Sequence, residues 1–193
     1  MPCLRFGMVA VVLALGVGTT LAQESVRFGV GGGLVRNDAD IEGGGDIEGE
    51  GAYGIFQARF SNDLLFQISV SGSSDDSDVF DPNSGFILEE EDKLIRTEIA
   101  VGYMFLGKSV FRPFIHGGVS LASVTTEIEG VEVIDDSSTA MSAGGGFEIG
   151  SGDHHSFFLD LSFDVGHELD LQFGLGSVDF DLSELHLGYL YRF

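Results

Sequence analysis

The chain has 193 residues, enough for one domain, and sets 31 Asp and Glu against 9 Lys and Arg for a net charge of −22. Such acidity argues against nucleic acid as a partner and against a basic patch for anionic headgroups. Its mean hydropathy is nevertheless positive, with 17 Phe and 29 Gly, so its charges must be segregated along the chain.

Residues 1–22 read as a secretory signal. Arg5 is their only charge, Met8 to Val17 is apolar, and Thr20-Leu21-Ala22 supplies small residues before a cut. The apolar run is short of the ~20 residues a spanning helix needs, so cleavage rather than anchoring is expected. The mature segment is then 23–193, with eight basic side chains left against all 31 acidic ones. Cys3 is the single cysteine and would leave with the signal, so no disulfide is expected.

From residue 26 the chain alternates at period two, the mark of strands with one apolar and one polar face. In 26–35, Val26, Phe28, Val30 and Leu34 oppose Arg27 and glycines. Segments 52–60, 64–72, 94–106, 111–124, 139–150 and 156–167 repeat the pattern. The last segment, through Leu185, Leu187, Tyr189, Tyr191 and Phe193, alternates over about the 9–11 residues of a tilted bilayer crossing. Val178, Phe180 and Leu182 lie in the opposite phase, and a bulge near Leu182-Ser183 would reconcile the two.

The breaks alternate long and short. Ser61-Asn62-Asp63, Gly107-Lys108-Ser109 and 151–155 are tight turns. Stretches 36–50, 73–93 and 125–138 lose the alternation and hold 19 of the 31 acidic residues, so they read as acidic loops on one side. An even number of strands, about eight, with long loops at one end and tight turns at the other is the layout of a bacterial outer-membrane barrel. In lipid the strands must close to pair every backbone group. The expected fold is an all-β, closed antiparallel up-and-down transmembrane barrel in the outer membrane.

With the apolar face on lipid, the polar face lines the lumen. It carries Arg27, Arg59, Arg96, Arg112 and Arg192 with Glu98, Glu148, Asp160, Asp164, Glu184 and His186. Following the chain up and down places Arg27, Arg59, Arg112, Arg192, Glu148 and Asp160 near the periplasmic end, where guanidinium and carboxylate groups would pair as a plug. An eight-stranded interior is only just wide enough for side chains, which favours a filled core over an ion pathway. Tyr103, Phe105, Phe111, Phe157, Tyr189, Tyr191 and Phe193 fall at the same end and read as an aromatic girdle.

Arg112-Pro113-Phe114-Ile115 with Gly117-Gly118-Val119 resembles a mid-barrel strand of the small porin-like OmpA/OmpX-like outer-membrane barrels. The ending Gly188-Tyr189-Leu190-Tyr191-Arg192-Phe193 resembles their C-terminal assembly signal, carried by Tyr189, Tyr191 and Phe193. The resemblance implies a monomeric barrel of the outer membrane, inserted by the outer-membrane machinery; contact with outer-membrane lipid and lipopolysaccharide is expected, and no cofactor is. The chain departs from full-length OmpA-type proteins in ending with the barrel, so a peptidoglycan-binding domain is not expected.

Asp38-x-Asp40-x-Glu42-Gly43 has the opening of a calcium loop, but its twelfth position is Gly49, and a solvated acidic loop fits better. His154, His155 and Ser156 with Glu168 would need hydrogen-bond contact to form a nucleophilic triad, and a whole strand separates them. His116 and His186 read as single hydrogen-bonded core residues. The expected role is therefore a non-enzymatic scaffold with acidic surface loops and a charge-plugged lumen. A narrow channel is the alternative, and a secreted lipocalin-like carrier a weaker one.

Overall fold

The computed structural model describes residues 26–41, 46–80, 87–106, 109–128, 131–151, 154–171 and 176–193. They form eight strands: β1 (Arg27–Ile41), β2 (Asp46–Arg59), β3 (Leu64–Phe80), β4 (Ile87–Met104), β5 (Phe111–Ile128), β6 (Val131–Ser151), β7 (His155–Leu171) and β8 (Gly176–Arg192). Each pairs antiparallel with its sequence neighbours, and β1 pairs with β8 to close the barrel. Closure removes both sheet edges, as crossing a bilayer requires.

The tight turns lie at one end. Between β2 and β3, Asp63 takes φ +64°, a left-handed conformation that a short polar side chain tolerates, and Arg59 Nη2 donates to its carboxylate at 2.6 Å. At the other end the strands run on. Stretches 36–50, 73–93 and 125–138, expected as loops, are largely paired strand: Asp38 lies opposite Glu48, and Asp76 opposite Glu91. Ladder hydrogen bonds do not depend on alternation, so strands continue past the point where both surrounding phases change. Of the candidate calcium loop, Asp38 and Asp40 face outward from β1, whereas Glu42 and Gly43 lie outside the described residues.

Near the turn end the outward positions are apolar. On β4 these are Ile95, Ile99, Val101 and Tyr103; on β8 they are Leu185, Leu187, Tyr189 and Tyr191, followed by Phe193 just past its end. Nine residues of tilted strand, 95–103, match an apolar band about 25 Å tall. The girdle aromatics named above are all exposed at this end, with Phe28 stacked on Phe56 and on Phe193.

Farther up, polarity inverts. Lys93 and Glu91 replace apolar side chains on the outside of β4, while Leu94 turns inward. Phe180 and Leu182, both 2% exposed, face the interior of β8 and pack with Ala39, Ala122, Val124 and Leu94. Strand β8 is therefore continuous through Leu182-Ser183, and the bulge expected there is absent. The irregularity sits in the partner strand, between Asp164 and His167 of β7, where Gly166 has φ +91°.

Candidate functional site

The inward side chains meet in stacked layers. At the turn end the ladder sets Arg112 of β5 opposite Glu148 of β6. Arg192 of β8 reaches across to engage both oxygens of Glu148 and also donates to Ser156 Oγ at 2.8 Å and Gln57 Oε1 at 3.1 Å. Arg112 Nη2 stands 3.3 Å from Glu148 Oε2, close enough for ion pairing but poorly aligned for a hydrogen bond. Gly150 makes room for it, since a Cβ there would stand 2.2 Å from Arg112 Nη2.

Of the six charges expected as one plug, Arg112, Arg192 and Glu148 come together. Arg59 turns to Asp63 at the rim, and Arg27, opposite Arg59 in register, is exposed. Asp160 lies one inward position farther along β7, opposite His186. A cavity of about 10 Å³ between these layers, bordered by Gln57, Gln67, Glu148 and Asp160 among others, has room for about one water.

The middle layer is the most highly charged. Arg96 of β4, 2% exposed, grips Asp164 of β7 through Nε and Nη2, both at 2.6 Å. Its Nη1 lies 2.9 Å from Glu184 Oε2 and 3.4 Å from Glu98 Oε2. His116 Nε2 lies 3.1 Å from Asp160 Oδ1, and His186 Nε2 lies 3.1 Å from Glu184 Oε2. His186 Nδ1 faces the other oxygen of Asp160 at 3.7 Å. The two histidines thus share a carboxylate and are not single core residues. Hydroxyls satisfy the remaining lone pairs: Ser142 donates to Glu98 and Ser71 to Glu184, each at 2.8 Å. Gly144 leaves space for the His116 ring, as Gly188 does for Tyr53.

Above this layer His167 stacks on Phe180 with ring centroids 4.6 Å apart, and Ser138 meets its Nδ1 at 2.8 Å. The apolar cluster around Phe180 and Leu182 then fills the interior. At the opposite end of β7, Ser156 accepts its bond from Arg192, and Glu168 lies a strand's length away, opposite Asp179.

The sequence pattern placed Arg96, Glu98, Asp164 and Glu184 on the lumenal face but did not mark them as the centre. The spacing Arg96-x-Glu98, Asp160-x-x-x-Asp164 and Glu184-x-His186 held that information, because same-face residues two apart stack in one column. What alternation alone does not supply is the height of one strand relative to the next.

A family model described as outer membrane protein beta-barrel domain matches residues 8–193. The chain belongs to this family. As an outer-membrane barrel it sits in the cell outer membrane with its apolar band against lipid. No curated protein matches the sequence. Neisserial surface protein A is 14% identical, with 88% of this chain and 100% of that one covered at a TM-score of 0.68. OprG from Pseudomonas aeruginosa is also 14% identical, covering 88% and 97% at 0.62. Ail of Yersinia pestis, solved with the heparin analogue sucrose octasulfate, is 13% identical, covering 88% and 99% at 0.58. At such identities the likeness is one of fold.

Proposed function

We propose that this barrel is a non-conducting outer-membrane scaffold whose stiff acidic ribbons present a binding surface outside the cell. One observation carries the reading: the lumen is filled in series by Arg192–Glu148, the Arg96 layer and the apolar Phe180–Leu182 cluster. An ion crossing it would have to displace a buried guanidinium and then a hydrocarbon plug, each unfavourable. The outward carboxylates of Asp38, Asp40, Glu48, Glu50, Asp179 and Asp181 outnumber the outward cations, of which Arg36 pairs with Glu48 and Lys93 with Glu91 and Glu127, so the ribbons are acidic on balance. The chemistry they favour is a cationic partner, or a divalent ion bridging them to lipopolysaccharide, in contrast to the polyanion analogue held by Ail.

In the same reading residues 1–22 are removed on export and the barrel acts as a monomer without cofactor. Its last strand, ending Tyr189-x-Tyr191-x-Phe193, is read by the insertion machinery, so deleting Phe193 reduces the assembled fraction in outer-membrane preparations. Conductance of the refolded protein in a planar bilayer tests closure. Silence with insertion demonstrated supports the scaffold; discrete, salt-dependent channels replace it with the narrow-channel reading.

A further inference from the structure

The middle layer is a closed ring of alternating acids and bases. Glu98 meets His116 at 3.3 Å, His116 meets Asp160 at 3.1 Å, and Asp160 meets His186 at 3.7 Å. His186 meets Glu184 at 3.1 Å, Glu184 meets Arg96 at 2.9 Å, and Arg96 returns to Glu98 at 3.4 Å. Six side chains from β4, β5, β7 and β8 thus tie four strands together inside the barrel.

Both nitrogens of each imidazole in the ring face a carboxylate oxygen. A neutral imidazole has one N–H donor and one bare lone pair, whereas an ionised carboxylate only accepts. The two Nε2 contacts are hydrogen bonds at 3.1 Å, whereas Nδ1 of His116, 3.3 Å from Glu98 but poorly aligned, and Nδ1 of His186, 3.7 Å from Asp160, are ion-pair contacts; in either kind a bare nitrogen would turn its partial negative charge toward a carboxylate. His167 differs: its Nδ1 meets the hydroxyl of Ser138, which donates or accepts as needed, so its partners leave its charge open.

Charge counting agrees. The ring holds Glu98, Asp160 and Glu184 against Arg96 alone unless both histidines are cations. Asp164, bound to Arg96 and 3.2 Å from His167, adds a further negative charge beside it. Tyr53 of β2 packs on His186 with centroids 4.7 Å apart. Strands β1 and β3 face the ring with Val35, Asn37, Gln67, Ser69 and Ser71, and β6 with Ser142, so none of them supplies a compensating cation. Among the described residues the other buried arginines, Arg112 and Arg192, are committed to Glu148 at the turn end. Buried carboxylates left without cations are strongly unfavourable.

We infer that in the folded barrel at neutral pH His116 and His186 are both imidazolium cations, forming with Asp160 a buried two-proton site that locks the barrel interior. The site binds protons as structural ions, and removing them leaves three carboxylates around one guanidinium. The sign follows: the lock is present on the acid side of the imidazolium titration and is lost as pH rises through it.

The test is nitrogen NMR of the intact folded protein at about pH 8, with the histidine rings assigned through the backbone. An ordinary imidazole of pKa about 6.5 is only about 3% protonated there. The expected result is that all four ring nitrogens of His116 and His186 resonate as N–H. The resonance of an unprotonated ring nitrogen in either residue overturns the inference. In Asp160→Asn the ring loses one negative charge, and at least one imidazole is expected to become neutral; two surviving cations would overturn the balance. Channels in a planar bilayer would overturn the closed scaffold and leave this result untouched.

Discussion

The lower and upper halves of the same strands solve opposite problems. In the lower half lipid surrounds the barrel, so β8 points Leu185, Leu187 and Tyr189 outward and keeps Glu184, His186 and Arg192 within. In the upper half water surrounds it, and β8 points Asp179 and Asp181 outward while Phe180 and Leu182 fill the interior. The backbone crosses this boundary unbroken. What changes is the solvent on the outer face, and the hydrophobic phase flips with it, giving a membrane barrel continued by one built like a soluble protein.

The comparison breaks most severely at the middle layer. Arg96→Ala removes the guanidinium shared by Asp164, Glu184 and Glu98 and leaves buried carboxylates uncompensated. The expected loss is about 3–5 kcal/mol, read as a fall in the urea midpoint of the folded barrel in detergent, or as failure to refold. An unchanged midpoint would mean water reaches the layer.

Substitutions on the two outer faces sharpen the contrast. Ile99→Arg, near the middle of the apolar band, is expected to cost about 2–4 kcal/mol for an arginine at the bilayer midplane. Leu182→Ala, inside the upper half, leaves a cavity costing about 2–5 kcal/mol. Asp181→Ser, one residue away and outward in water, is expected within about 0.5 kcal/mol of wild type. Equal effects at 181 and 182 in the same unfolding assay would contradict the inward assignment.

The smallest effect lies in the β3–β4 ribbon. Burial raises the Asp92 carboxyl above its ordinary value; the 2.5 Å hydrogen bond from Thr126 opposes the shift and Asp75 opposite reinforces it. Burial raises Glu90 likewise, with Asp92 adding to it. A carboxyl raised in the folded state favours folding when protonated, so the ribbon gains stability as pH falls through the raised value toward about 4. Amide protection factors in 75–78 and 89–92 are expected to increase slightly from pH 7.5 to pH 5. A decrease would show that repulsion between the strands is not relieved by protonation.

Much of this was legible in the sequence for physical reasons. Alternation at period two and tight turns such as Ser61-Asn62-Asp63 follow from local chemistry, and they yield strand number, neighbour order and lumenal face. The acidic stretches were misjudged because alternation marks one lipid face and one polar face; Asp75 to Asp78 have water outside and still pair with 89–92. Leu182 suggested a bulge for the same reason. At the site, Arg112 and Glu148 were recognisable as partners, whereas the layer joining Arg96, Asp160 and His186 depends on stagger between distant strands, which no local pattern encodes.

Single-cysteine scanning of β8 from 179 to 191 tests the phase inversion most directly, in a chain whose own single cysteine is Cys3. Each site in the folded, membrane-embedded protein is probed with a water-soluble thiol reagent and a lipid-soluble one. The account predicts water access at 179 and 181, lipid access at 185, 187, 189 and 191, and neither at 180, 182, 184, 186 and 190. Water-accessible thiols at 180 and 182, with 181 protected, would place a register change before Leu185 and contradict the continuous strand.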